Sequence, residues 1–181
     1  MNLANKITLA RVLMIPIFMI VLFSNFNGSN YVAALIFTIA AVTDALDGHI
    51  ARSRNQITTF GKFIDPLADK LLVSSALISM IELGKVPAWI VVIIIAREFT
   101  ITGFRIIAAS EGITIAASPL GKIKTATQLI AIIALLIDNF PFESINFPFH
   151  TIMLYIALFF TVVSGIDYLY RNKDVFKASE R

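Results

Sequence analysis

Six apolar stretches, each about 20 residues long and so able to cross a hydrocarbon core as a helix, leave this chain few folds to adopt. They run over residues 7–24, 30–53, 60–82, 86–108, 118–138 and 149–171. Between them stand SNFNGSN, SRNQITT, LGKVP, SEGIT and DNFPFESINFP, rich in the Gly, Pro, Asn and Ser that interrupt regular structure. A soluble alternative fails on area. With 57% of 181 residues hydrophobic and 15% charged, and a mean hydropathy of +0.82, a domain this small would leave too much apolar surface in water. The expected fold is therefore all-α, one integral membrane domain over residues 1–181 with six transmembrane helices. The opening MNLANKITLARVLMIPIF has no positive run before an unbroken apolar core and no small-residue cleavage pattern, so it reads as a retained first helix.

Basic residues favour the cytoplasmic side of a membrane, and their distribution orients the bundle. With the N-terminus inside, all but Lys85 of the 15 Lys and Arg fall in cytoplasmic loops or the inner halves of helices. Glu82, Asp138 and Glu143 fall outside. Both termini are expected in the cytoplasm of a multi-pass protein of the cell membrane. The runs VVIII at 91–95 and IALFFTVV at 156–163 are expected to face lipid or a second subunit.

Against this apolar background, four carboxylates stand out. Asp44 and Asp47 are three residues apart near the inner end of the second stretch, and Asp65 and Asp69 four apart at the start of the third. Those spacings place each pair on one helical face, and the short loop between makes the two helices antiparallel neighbours whose acidic faces can meet. An intramembrane acid needs a compensating partner. Oxygen donors suit hard divalent cations such as magnesium, manganese or calcium, and bridging carboxylates suit a pair of them. The chain has no cysteine, which removes thiolate sites and a cysteine nucleophile, and zinc's usual imidazole set is missing too. His49 reads as a solvated residue and His150 falls in the opposite leaflet. Gly48 sits inside a helix, where glycine costs about 1 kcal/mol relative to alanine, so something is expected to lie against that backbone.

Asp44, Asp47, Gly48, Ala51, Arg52, Gly61, Asp65 and Asp69 reproduce the pattern DxxDGxxAR followed by GxxxDxxxD, with every residue type and spacing kept. In this the chain resembles the CDP-alcohol phosphotransferase family. The resemblance implies a six-helix membrane fold and attack of an alcohol on the β-phosphorus of a CDP-linked donor, with release of CMP. It assigns Asp44, Asp47 and Asp65 to metal, two Mg2+ or Mn2+ ions in all. Asp69 becomes a further ligand and general base, so that Asp65 and Asp69 are the catalytic pair. Asp47, Gly48, Ala51, Arg52 and Gly61 would border the CDP group. Displacement is expected to be direct, because no serine is paired with a histidine and no cysteine exists.

Other residues bear on the acceptor. Arg97 and Arg105 lie eight apart, about 80° around a helix from one another, and can share a face. Buried arginines at that depth suit a phosphate. Lys122, Lys124 and Thr125 open the fifth stretch at the same level. Together they imply an acceptor that carries its own phosphate. Asn5, Thr8 and Arg11 form an NxxTxxR pattern on one face, where they could border the donor headgroup. These features resemble the branch of the family whose donor is CDP-diacylglycerol and whose acceptor is glycerol 3-phosphate. The family also implies a homodimer in contact with membrane lipid, and nothing points to nucleic acid. Inositol phosphate, serine or phosphatidylglycerol are the competing acceptors. A divalent-cation transporter is the competing class, and it would need acidic residues near the bilayer midplane.

Overall fold

The computed structural model describes the backbone of residues 3–24, 26–53, 59–110, 113, 115 and 118–173, and side chains over 9–24, 26–43, 67–68, 70–109, 113, 115 and 118–173. Six helices run in order: α1 (Leu3–Leu22), α2 (Ser29–Ser53), α3 (Thr59–Glu82), α4 (Ala88–Ser110), α5 (Pro119–Leu136) and α6 (Phe149–Arg171). A single 3-10 turn, Phe142–Ile145, precedes α6, and the described residues contain no strand. Each helix coincides with one of the six apolar stretches, so the expected all-α class is borne out.

Local chemistry explains several boundaries. The Ser118 hydroxyl accepts the Gly121 N–H at 3.1 Å and Pro119 occupies the first helical position, a strong start for α5. Helices α5 and α6 are long and apolar enough to cross a membrane, and α1 and α2 carry shorter apolar runs, Leu9–Leu22 and Ser29–Thr43. In α4 the apolar sequence is interrupted by Arg97, Glu98 and Arg105.

The helices pack as a bundle in which α5 lies along α6, α4 against α6 and α3, and α2 against α5. Helix α1 serves both α2 and α3, which touch each other but lean chiefly on α1. One apolar core runs through the bundle, with Phe18, Phe37, Leu72, Met80, Ile90, Ile94, Ile132 and Leu136 fully or almost fully buried. Helical periodicity divides every apolar run between core and surface. Val91 and Ile94 are buried while Val92 and Ile93 are exposed, and Ala157 and Thr161 are buried while Phe159 and Val162 are exposed. The runs 91–95 and 156–163 thus present apolar residues on the outer faces of α4 and α6 and bury the residues between them, as the 3.6-residue period of a helix dictates.

One end of the bundle is tied by a polar clasp. Asp138 accepts hydrogen bonds from Asn30 and from Lys85, each at 2.5 Å, and Lys85 also donates to the Leu135 carbonyl at 3.1 Å. The start of α2, the α3–α4 turn and the end of α5 therefore lie together. Lys85, the one basic residue assigned to the outer side, is paired there with an acid and with an orphan carbonyl at a helix C-terminus. Asn139 completes the arrangement. Its side chain donates to the Phe147 carbonyl at 2.7 Å and accepts the His150 N–H at 3.0 Å, pinning the loop to the start of α6. Asp138 and Asn139 both take positive φ, 51° and 66°, a region that Asp and Asn tolerate better than most residues.

Candidate active site

Because α2 begins and α3 ends at the clasp, the other ends of these helices lie together at the far side of the bundle. Asp44 and Asp47 belong to the distal half of α2, and Asp65 and Asp69 to the proximal half of α3. Both helices are unbroken through these positions, so each aspartate pair occupies one helical face. The side chains of Asp44, Asp47, Asp65 and Asp69 lie outside the described residues, as do those of Asn5, Thr8, Ala51 and Arg52 and the surroundings of Gly48 and Gly61. Among the described residues no three His, Cys, Asp or Glu side chains form a metal-holding group. The four motif donors that α2 and α3 carry are all carboxylates, a set that fits a hard divalent cation.

Of the residues assigned to the donor headgroup, Arg11 has a described side chain, and it is 1% exposed. A guanidinium so placed points into the bundle rather than out to lipid headgroups, and burial of its charge calls for a partner.

The sequence places Arg97, Lys124, Arg105, Lys122 and Thr125 at one level, and the structure sorts them. Arg97 and Lys124 meet at Glu98, which also receives Lys70 from α3. Lys70 Nζ lies 2.8 Å from Glu98 Oε2, Arg97 Nη1 lies 3.6 Å from Oε1, and Lys124 Nζ contacts the same Oε1. All four side chains are largely buried, and three helices contribute to the cluster. On its other side Arg97 donates from Nη2 to Ser164 Oγ at 2.9 Å, so α6 holds the guanidinium as well. Ser164 in turn donates to the Thr161 carbonyl at 3.3 Å. Gly165 makes this approach possible, because a Cβ there would sit 3.1 Å from Arg97 Cγ.

Arg105, Lys122 and Thr125 are exposed, and the Thr125 hydroxyl donates back to the Gly121 carbonyl of its own helix at 3.0 Å. Tyr168, a buried residue of α6, meets the Phe104 ring edge-on at 6.1 Å. Lys70, Glu98 and Ser164 thus join Arg97 and Lys124 in one buried cluster, with Gly165 against Arg97, and none of these four belongs to the sequence motifs. Two signals were present in the sequence: Lys70 directly follows Asp69, and Ser164-Gly165 is a small pair inside the bulky run FFTVVSGIDYLY.

An all-helical bundle with an acidic motif on two neighbouring helices and a cationic cluster beside them defines a class, and the chain belongs to it. The family model for CDP-alcohol phosphatidyltransferase matches residues 1–163, and the chain is a member of that family. It is a membrane protein, as the family is, with α5 and α6 able to span a bilayer. The chain is 49% identical over 190 residues to the CDP-diacylglycerol–glycerol-3-phosphate 3-phosphatidyltransferase of Bacillus subtilis (strain 168), with 98% of each chain covered. Proteins of the same name from Haemophilus influenzae and Rickettsia felis are 39% and 35% identical to it. Those matches cover 93% and 97% of this chain and 91% and 97% of the relatives.

Proposed function

We propose that this chain transfers a phosphatidyl group from CDP-diacylglycerol to glycerol 3-phosphate, releasing CMP, at the cytosolic boundary of the cell membrane. The observation that carries this reading is similarity along nearly the whole chain to relatives named for that reaction. The cluster of Arg97, Lys124 and Lys70 supports a phosphorylated acceptor, since it gathers cations from three helices into a buried position.

In this reading Asp44, Asp47, Asp65 and Asp69 hold two divalent ions, Mg2+ or Mn2+. When bound, the ions offset negative charge on the donor's pyrophosphate and on the departing CMP. Asp69 takes the proton of the acceptor hydroxyl as that oxygen bonds to the β-phosphorus and the bond to CMP breaks. Asp65 shares the reacting centre with it. Asn5, Thr8 and Arg11, together with Gly48, Ala51, Arg52 and Gly61, border the donor. Arg97 and Lys124 take the acceptor phosphate, with Arg105, Lys122 and Thr125 at the exposed rim. Both termini lie in the cytoplasm and two copies form a homodimer. A lipid donor arriving from the leaflet and a polar acceptor arriving from the cytosol then meet at one depth.

Labelled CDP-diacylglycerol offered with glycerol 3-phosphate, inositol phosphate, serine or phosphatidylglycerol tests the assignment. Label should pass to glycerol 3-phosphate, and transfer to serine alone would discard the proposed acceptor. Direct displacement makes a second prediction: donor alone should leave no label covalently attached to purified protein, and a trapped phosphoprotein would overturn it.

Gly165→Ala offers a local check on Arg97. The new methyl, 3.1 Å from Arg97 Cγ, forces the side chain to give by a few tenths of an ångström. A shift of that size is expected to raise the KM for glycerol 3-phosphate by up to about tenfold, with little change in the KM for CDP-diacylglycerol. Equal changes in both constants would detach Arg97 from the acceptor.

A further inference from the structure

Resting on the acceptor reading above, we infer that Ser164 is a positioning residue that fixes the rotation of the Arg97 guanidinium and so holds its remaining N–H groups ready for the acceptor phosphate. Ser164 is fully buried on α6, which packs against α4. A serine inside a helix commonly bonds back to its own backbone, and here that bond gives the hydroxyl a direction. Ser164 Oγ donates to the Thr161 carbonyl at 3.3 Å, which commits its proton. The oxygen is left to accept, and it accepts Arg97 Nη2 at 2.9 Å.

The rest of the guanidinium is lightly held. Arg97 Nε is buried with no hydrogen-bond partner, and Glu98 Oε1 stands 3.6 Å from Nη1, beyond hydrogen-bonding distance. Among the described residues, Ser164 is thus the hydrogen-bonding anchor of this head group. The chemistry of the anchor matters. A carboxylate in bidentate contact would fill the arginine fork, and an incoming phosphate would have to displace it. A serine oxygen is neutral and engages one donor of the several that a guanidinium carries, so donors remain for a ligand. The Arg97 side chain keeps 15% of its surface exposed, which gives an anion a way to reach it. Without Ser164 the guanidinium could turn on its long stem, and a phosphate would have to order it on binding. Ser164 therefore acts through Arg97 and stays outside the bond-making step.

The test uses the full-length protein in lipid nanodiscs and compares Ser164→Ala, Ser164→Cys, Arg97→Lys and the double variant of Ser164→Ala with Arg97→Lys. Readouts are the KM for glycerol 3-phosphate, the KM for CDP-diacylglycerol and the melting temperature. Ser164→Ala should raise the acceptor KM about tenfold, the scale of one hydrogen bond to a charged group, with little change in the donor KM. A lower melting temperature should accompany this, because Nη2 loses its partner in the interior, so the split between the two constants carries the test. Ser164→Cys, whose sulfur is a weaker acceptor, should fall between wild type and Ser164→Ala. Arg97→Lys keeps a cation but removes the fork, and in that background Ser164→Ala should add little to the acceptor KM, since residues that act through one another are not additive. An unchanged acceptor KM in Ser164→Ala overturns the inference, as do equal rises in both constants or a full effect in the Arg97→Lys background. If Ser164→Ala does not fold, Ser164→Cys decides by the same split, and failure of both to fold overturns the role in favour of a purely structural one. Should Arg97→Lys itself leave the acceptor KM untouched, the phosphate reading of Arg97 fails and the inference goes with it; if Arg97→Lys raises that constant while Ser164→Ala is silent, only the role of Ser164 falls.

Discussion

Asp69→Asn is expected to lower kcat by about 10²–10⁴-fold, the usual contribution of a positioned general base. Asparagine keeps the size and shape of aspartate, and α3 is continuous through this position, so the helix and its packing should survive. What is lost is the capacity to accept the acceptor's proton. The KM for CDP-diacylglycerol should therefore move much less than kcat, a split that marks loss of an interaction made in the transition state. Steady-state rates at saturating concentrations of both substrates measure it directly. Turnover near that of the wild type would remove Asp69 from the reaction.

Asp44→Ala should have an effect of similar size by a different route. Removing an anionic oxygen from a divalent site lowers affinity for the ion, and changes even to groups behind the ligands cost about 10–100-fold. Loss of a ligand itself should exceed that range. Activity titrated against Mn2+ should show both a weaker half-saturation and a lower plateau, so that metal binding and turnover fail together. A variant with wild-type metal dependence would exclude Asp44 from the site.

How far the sequence reaches depends on whether a feature is local or long-range. Helix limits are local: six apolar stretches, ended by segments such as SNFNGSN and DNFPFESINFP, fall on six helices. The acidic motif is local too, because spacings of three and four are fixed by the helix itself. The cluster around Glu98 is not, since it joins positions 70, 97, 98 and 124 and exists only once α3, α4 and α5 are side by side. Its members could be placed at one depth from sequence, but nothing in their spacing says which of them turn inward. Arg97 and Lys124 do, whereas Arg105 and Lys122 remain exposed. The same limit applies to the clasp of Lys85 with Asp138, which spans 53 residues. The place of α1 against both α2 and α3 also arises from packing, while α2 and α3 touch each other as neighbours joined by a short loop.

Each role assigned to donor, acceptor and base supposes that divalent ions sit among the four aspartates. CMP release from CDP-diacylglycerol, followed in purified protein before and after exhaustive chelation, addresses this directly. The reaction should fall to background and return when Mg2+ or Mn2+ is restored; unabated CMP release from chelated protein would contradict the account.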